Sequence, residues 1–205
     1  MVQYERFQML PLSEFHDELR FEYPNLPSQL FDYYLIKTAI KMARDGNILR
    51  RRVKIDVQPG IPNYNIDLPE GLSLIGILDA THGHCERPAK RGTMPHMCGR
   101  ENIWFDDIEN EINFDNISGQ MVVLVSVAPT QDTCELPSEY KEKYLDTLVT
   151  GTRAAIMMIT GRPWSNLQLG AALEQRFKQM VSNDAVELMT HKQRGGIHMN
   201  FGRVL

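Results

Sequence analysis

A chain of 205 residues can bury one ordinary core, or one core with a small satellite, so a single folding unit carrying an insertion is expected. Lys and Arg number 22 against 26 Asp and Glu, which excludes a global phosphate-binding surface and leaves any DNA contact local or fleeting. No apolar run nears the roughly 18 residues of a bilayer span, the start MVQYERFQML lacks the cationic-then-apolar order of a signal peptide, and Cys85, Cys98 and Cys134 are too few and odd in number for a disulfide framework. The expectation is a soluble chain, not exported through a signal sequence, with its thiols in a reducing cytoplasm.

Residues 1–25 carry one short helical signal, Ser13 followed by Glu14, Phe15, Asp17 and Leu19, a cap residue with acids at the positive end of a helix. After Pro27-Ser28, Phe31, Tyr34, Leu35, Thr38 and Met42 recur at three and four, and Gly46 sits where a helix stop belongs. This predicts an amphipathic helix of about five turns. From Leu49 the period becomes two: Val53, Ile55 and Val57 alternate with Arg52, Lys54 and Asp56, a strand with one wet face. Pro59-Gly60 reads as a turn, and Tyr64, Ile66 and Leu68 alternate again. LSLIGIL at 72–78 is a more buried run. Residues 79–101 hold a polar, Gly- and Pro-punctuated irregular loop. Strands resume with NIWF at 102–105 and EINFD at 111–115, and MVVLVSV at 121–127 reads as a central strand covered on both faces.

Leu136-Pro137-Ser138 is expected to open a long helix with the stripe Tyr140, Tyr144, Leu145, Leu148, Thr152, Ala155, Ile156 and Ile159, ended by Gly161 and Pro163. Trp164-Ser165 is expected to start a second, with the stripe Leu169, Ala172, Leu173, Arg176, Phe177, Met180, Val181, Ala185 and Leu188. Over 165–192 that is a rod of roughly 40 Å. A short connection predicts an antiparallel pair.

His82, His84, Cys85, His96 and Cys98 form a metal-like cluster in the irregular loop, where two pairs a dozen residues apart could supply zinc ligands. The spacing contains no CxxC, and solvated loop residues are the ordinary reading. Asp106, Asp107, Glu109 and Glu111 lack the Gly of a calcium loop and read as a wet hairpin tip. Arg51 and the loop cations Arg87, Lys90, Arg91 and Arg100, with Arg50, Arg52 and Lys54, could meet DNA phosphates, but alternation puts Arg50, Arg52 and Lys54 on one strand face, and a solvated or subunit-contacting face is the favoured reading. No GxSxG elbow, Walker loop, dinucleotide-binding glycine pattern or HExxH is present, so neither a catalytic centre nor a cofactor is expected. Gly151 inside a good helix costs about 1 kcal/mol relative to Ala, which implies that another backbone passes close by. Trp164 plugs the top of the pair. The tail RGGIHMNFGRVL has no helical period but carries Ile197, Met199, Phe201, Val204 and Leu205, and reads as an arm that orders on a partner.

The succession of an apolar strand ending in VAP, an LP helix start, a long apolar helix with TGTRAAIMM, GRPW and a second long helix resembles the head-to-tail adaptor (neck) proteins of tailed phages, the tail-tubular-A type of short-tailed phages above all. Gly-Thr-Arg stands where many of those proteins have Gly-Ala-Leu. The resemblance covers about residues 25–205 and is strongest from 121 onward. It implies an α+β fold: an α-helical bundle (1–48, with the long antiparallel C-terminal helix pair at 129–192), a β-rich insertion at 49–128, and an extended arm at 193–205. It further implies a structural virion protein with no catalytic role, found in the neck after assembly in the host cytoplasm. Such a protein forms a ring, usually of twelve copies, between the portal protein and the tail tube or nozzle, and helps retain the packaged genome and pass it during ejection. Double-stranded DNA crosses its lumen without sequence-specific binding, and no membrane is involved. Under the same resemblance the arm binds the portal or an adjacent subunit, and Gly151 and Trp164 pack the helix pair. The competing class is a small metal-binding enzyme or regulatory module using the His/Cys loop; another neck part, such as a tail-completion protein, is a third.

Overall fold

A computed structural model describes residues 2–4, 8–17, 23, 26–66, 68–82, 85–87, 102–106, 111–115 and 118–194. Along the chain these form β1 (Val2–Tyr4), β2 (Met9–Pro11), a 3-10 turn (Leu12–Phe15), α1 (Ser28–Gly46), β3 (Arg50–Val57), β4 (Asn63–Asn65), β5 (Leu72–His82), β6 (Cys85–Arg87), β7 (Asn102–Asp106), β8 (Glu111–Asp115), β9 (Gly119–Pro129), β10 (Glu135–Pro137), the one-turn α2 (Glu139–Glu142), α3 (Leu145–Met157) and α4 (Leu167–Arg194). The fold mixes α and β.

Helix α1 starts where Pro27, in extended conformation, turns its carbonyl to the backbone N–H groups of Leu30 and Phe31. Its apolar residues at three- and four-residue spacing, Phe31, Leu35, Ala39 and Met42 among them, are buried. The helix stops one residue later than the sequence suggests, because Asn47, not Gly46, adopts the left-handed conformation at φ 46°. Gly46 is needed for space instead: a Cβ there would lie 2.9 Å from Ile48 Cγ2 and 3.0 Å from Val181 Cγ1.

Strand order in the main antiparallel sheet is β1-β3-β9-β5-β6. The alternation read from 52–57 is realised, with Val53, Ile55 and Val57 buried and Arg52, Lys54 and Asp56 exposed. MVVLVSV is the sheet's centre, paired with β3 on one side and β5 on the other. LSLIGIL is less buried than its composition suggests. The β5–β9 register shifts between Leu74 and Gly76 and again between Ile77 and Asp79, so Ile75 and Ile77 turn to half-covered positions. A second antiparallel sheet, β4-β8-β7, adds Ile112 and Phe114 to the same core. That core runs without a break from α1, α3 and α4 through β3 and β9.

Two expectations fail at the C-terminal helices. Leu136-Pro137 does not open a helix: Glu135–Pro137 pair with Met9–Pro11, and the single long helix becomes α2 and α3, separated by Lys143 and Tyr144 at φ near −120°. The N-terminal segment competes successfully for this stretch. It adds a Ser138 N–H bond to the Gln8 carbonyl, a Glu14–Lys141 ion pair at 2.6 Å and the buried Phe15, while His16 meets Asp32 of α1 at 2.6 Å. The last helix begins at Leu167 rather than Trp164, because Asn166 supplies the cap, its Oδ1 accepting the Leu169 N–H at 3.0 Å. Ser165 stays in the corner, accepting the Arg162 N–H at 2.9 Å and donating to the Ile159 carbonyl. Thr147 meets Asp184, Gly151 meets Phe177 and Met158 meets Gly170 along α3 and α4.

Candidate interaction surface

The helix pair is joined to the rest of the fold at Gly151. This glycine is buried where α1, α3 and α4 meet, and a Cβ would lie 2.6 Å from Phe177 Cδ2 and Cε2 and 2.6 Å from Thr38 Cγ2. The close-passing neighbour expected from the sequence is therefore an aromatic ring and a threonine methyl rather than a backbone. Above the same ring, Lys41 Nζ lies 5.5 Å from the Phe177 centroid and 3.4 Å from Glu174, whose carboxylate also takes Lys178 at 3.1 Å. Hydrogen bonds from Lys178 and then Lys41 hold Glu174 below the usual carboxylate range.

Toward the start of α3 the contacts become polar. Thr147 Oγ1 donates to Asp184 Oδ2 at 2.9 Å. Burial pushes the Asp184 carboxyl up, the Thr147 bond opposes that, and Glu187 adds to it. Burial also raises the Tyr144 phenol, reinforced by Asp184 and opposed by Arg50. Nearby, Arg51 of β3 pairs with Glu139 of α2, both side chains more than four-fifths covered. Arg51 therefore ties sheet to helix, while Arg50 donates to the Asn47 carbonyl at 2.7 Å. Only Arg52 and Lys54 of the basic run stay exposed.

Apolar side chains come to the surface at both ends of the pair. Met158, Leu167 and Leu169 lie at the corner, and Val186 and Met189 near the other end of α4, each between 43% and 56% exposed. Trp164, half-buried, packs its ring against the core at the corner, and among the described residues its indole N–H has no acceptor.

The structure thus places Gly151 and Trp164 at the crossing and the corner of the pair. Ile197, Met199, Phe201, Val204 and Leu205 lie outside the described residues, as do His84, His96, Cys98, Asp107, Glu109, Lys90, Arg91 and Arg100. Backbone pairing sets His82 opposite Cys85 and Asp106 opposite Glu111, the second pair at the hairpin tip read from the acids. Among the described residues no three of His, Cys, Asp and Glu converge as metal ligands, and no helix is long and apolar enough to cross a membrane. The sequence reading missed the Arg51–Glu139 tie and the Tyr140 phenol inside the fold. Arg51's position on the apolar face of β3 was the available signal for the first. No protein-family model matches the chain, and no curated protein matches it.

Proposed function

We propose that the chain is a structural virion protein of a tailed phage, a head-to-tail adaptor that sits as a ring between portal and tail, helps retain the packaged genome and passes it during ejection. The finer architecture belongs to this reading: α1, α3 and α4 are the bundle, α3 and α4 its long antiparallel C-terminal pair, and residues 49–128, with strands β3 to β9, the insertion that faces neighbours and tail. The observation that carries it is the exposure of apolar side chains at both ends of one rigid helix pair, Met158, Leu167 and Leu169 at one and Val186 and Met189 at the other. A part that joins two different structures needs a binding surface at each of two separated ends, whereas an enzyme needs one concave site. The slight acidic excess suits a lumen that must let DNA slide, because a strongly cationic channel would hold the genome.

The test is reconstitution. Purified protein added to DNA-filled heads that carry a portal but no tail should appear by electron microscopy as a ring directly beneath the portal and should slow DNA leakage. Heads that remain bare at saturating protein would refute the reading.

A further inference from the structure

We propose that α4 pairs, antiparallel, with α4 of a second copy of this chain through the seam Ala172, Gln175, Gln179, Ser182, Val186 and Met189. All six side chains are exposed, and their spacing of 3, 4, 3, 4 and 3 residues places them on one stripe, opposite the buried side marked by Gly170, Phe177 and Val181. The stripe is about 25 Å long at 1.5 Å per residue.

Its chemistry selects the occupant. In a chain that is 23% charged, the outward face of a surface helix is where charges usually collect, yet this seam has none. The exposed cations Arg176 and Lys178 flank it, with Lys178 drawn 3.1 Å from Glu174. A nucleic acid would find no cation along the stripe, and a charged partner would strand its own charges there. The fitting partner is a helix of equal length with small, amide and apolar side chains, and α4 is such a helix.

Antiparallel pairing makes the match specific. In the register that sets each of the six against another, Ala172 lies opposite Met189 of the other copy, Gln175 opposite Val186, and Gln179 opposite Ser182 near the two-fold axis. The smallest side chain thus meets the longest, and a hydroxyl meets an amide that can both donate and accept. The opposed helix dipoles favour this orientation over the parallel one. Six seam residues a side bury less than a standard interface, so the association is concentration-dependent. A closed two-fold contact also stops at two copies. The inference rests on exposure and spacing; it shares Val186 and Met189 with the adaptor reading, so the pair is a form of the free chain that parts before those residues meet portal or tail in a ring.

Sedimentation of the full chain over a micromolar concentration series tests it. The expected result is a reversible monomer–dimer equilibrium. Gln179→Lys and Ser182→Glu should each weaken it at least about tenfold, with unchanged circular dichroism because both positions are exposed. The doubly substituted chain should return to within about threefold of the original, since antiparallel pairing sets the new Lys beside the other copy's new Glu. A chain that stays monomeric throughout, as it would if its own residues 195–205 or a different protein cover the seam, overturns the proposal. So do single variants that dimerise normally, or a double variant that is not restored, as parallel pairing predicts.

Discussion

The phenolic oxygen of Tyr140 donates to the Ala39 carbonyl at 2.6 Å, tying the single turn of α2 to the middle of α1. Tyr140 is fully buried. Its phenol is held well above its ordinary value, by burial first and then by the Glu139 and Tyr144 charges. The fold keeps the phenol neutral while the unfolded chain releases the proton near pH 10. The stabilisation is complete below that pH and is lost as pH rises beyond it. Tyr140→Phe should cost about 1 kcal/mol at neutral pH. Its stability, measured by urea unfolding, should then fall less steeply than that of the original chain above about pH 10, where Tyr144 alone of the two remains to titrate.

At Gly151 two effects of opposite sign meet. Alanine would gain about 1 kcal/mol in helix propensity, but a Cβ 2.6 Å from both Phe177 and Thr38 forces atoms apart in a closed site, at about 1–3 kcal/mol. Gly151→Ala should lower the melting temperature. The loss should shrink in a Phe177→Leu background, and equal losses in both backgrounds would show that the ring is not the obstacle.

Glu139→Ala should destabilise by about 3 kcal/mol, because it removes the carboxylate from a covered Arg51 guanidinium. Replacing both residues by leucine should cost less than the sum of the single replacements. Additive losses in denaturant unfolding would mean that the pair contributes nothing as a pair.

The adaptor reading assigns the terminal arm, including Ile197, Met199, Phe201, Val204 and Leu205, to the portal or an adjacent subunit. Burying Phe201, Val204 and Leu205 supplies only about 1.5–3 kcal/mol each, less than the backbone entropy of ordering the arm, so main-chain pairing with the partner must add to it. Deleting 197–205 should leave helical circular dichroism and melting nearly unchanged while abolishing attachment to DNA-filled heads. Undiminished attachment would make the arm a passive tail.

What was legible in the sequence is what a local period can encode. Val53, Ile55 and Val57 announce their face through alternation, and Phe31, Leu35 and Met42 through helical spacing. Three-residue strands carry no period. β2 and β10 find each other across more than a hundred residues, and Leu136-Pro137, which locally reads as a helix start, is drawn into that pairing instead. The helix break at Lys143-Tyr144 is equally silent, since both residues suit a helix and the anchoring of Tyr140 on α1, Glu139 on Arg51 and Lys141 on Glu14 fixes where α2 points. Of the proposed surface, Gly151 and Trp164 stood out as residues at odds with their surroundings. The seam of α4 did not, because an uncharged stripe becomes notable only once it is known to be exposed.

The position of β9 also dictates a schedule. β3 and β5 are consecutive long strands, yet they do not pair with each other; the space between them is filled by a strand made more than thirty residues after β5 ends. On the ribosome the inner edge of each must therefore wait, open, until residues 119–129 emerge, and the contacts that join the two halves of the sheet span long loops. Pulse-labelled hydrogen exchange should find the β3 and β5 amides that face β9 protected together with those of β9 and never before them. The sheet is completed from its middle by its latest long strand, so a nascent chain stopped short of residue 119 presents two unfinished edges to any neighbouring chain.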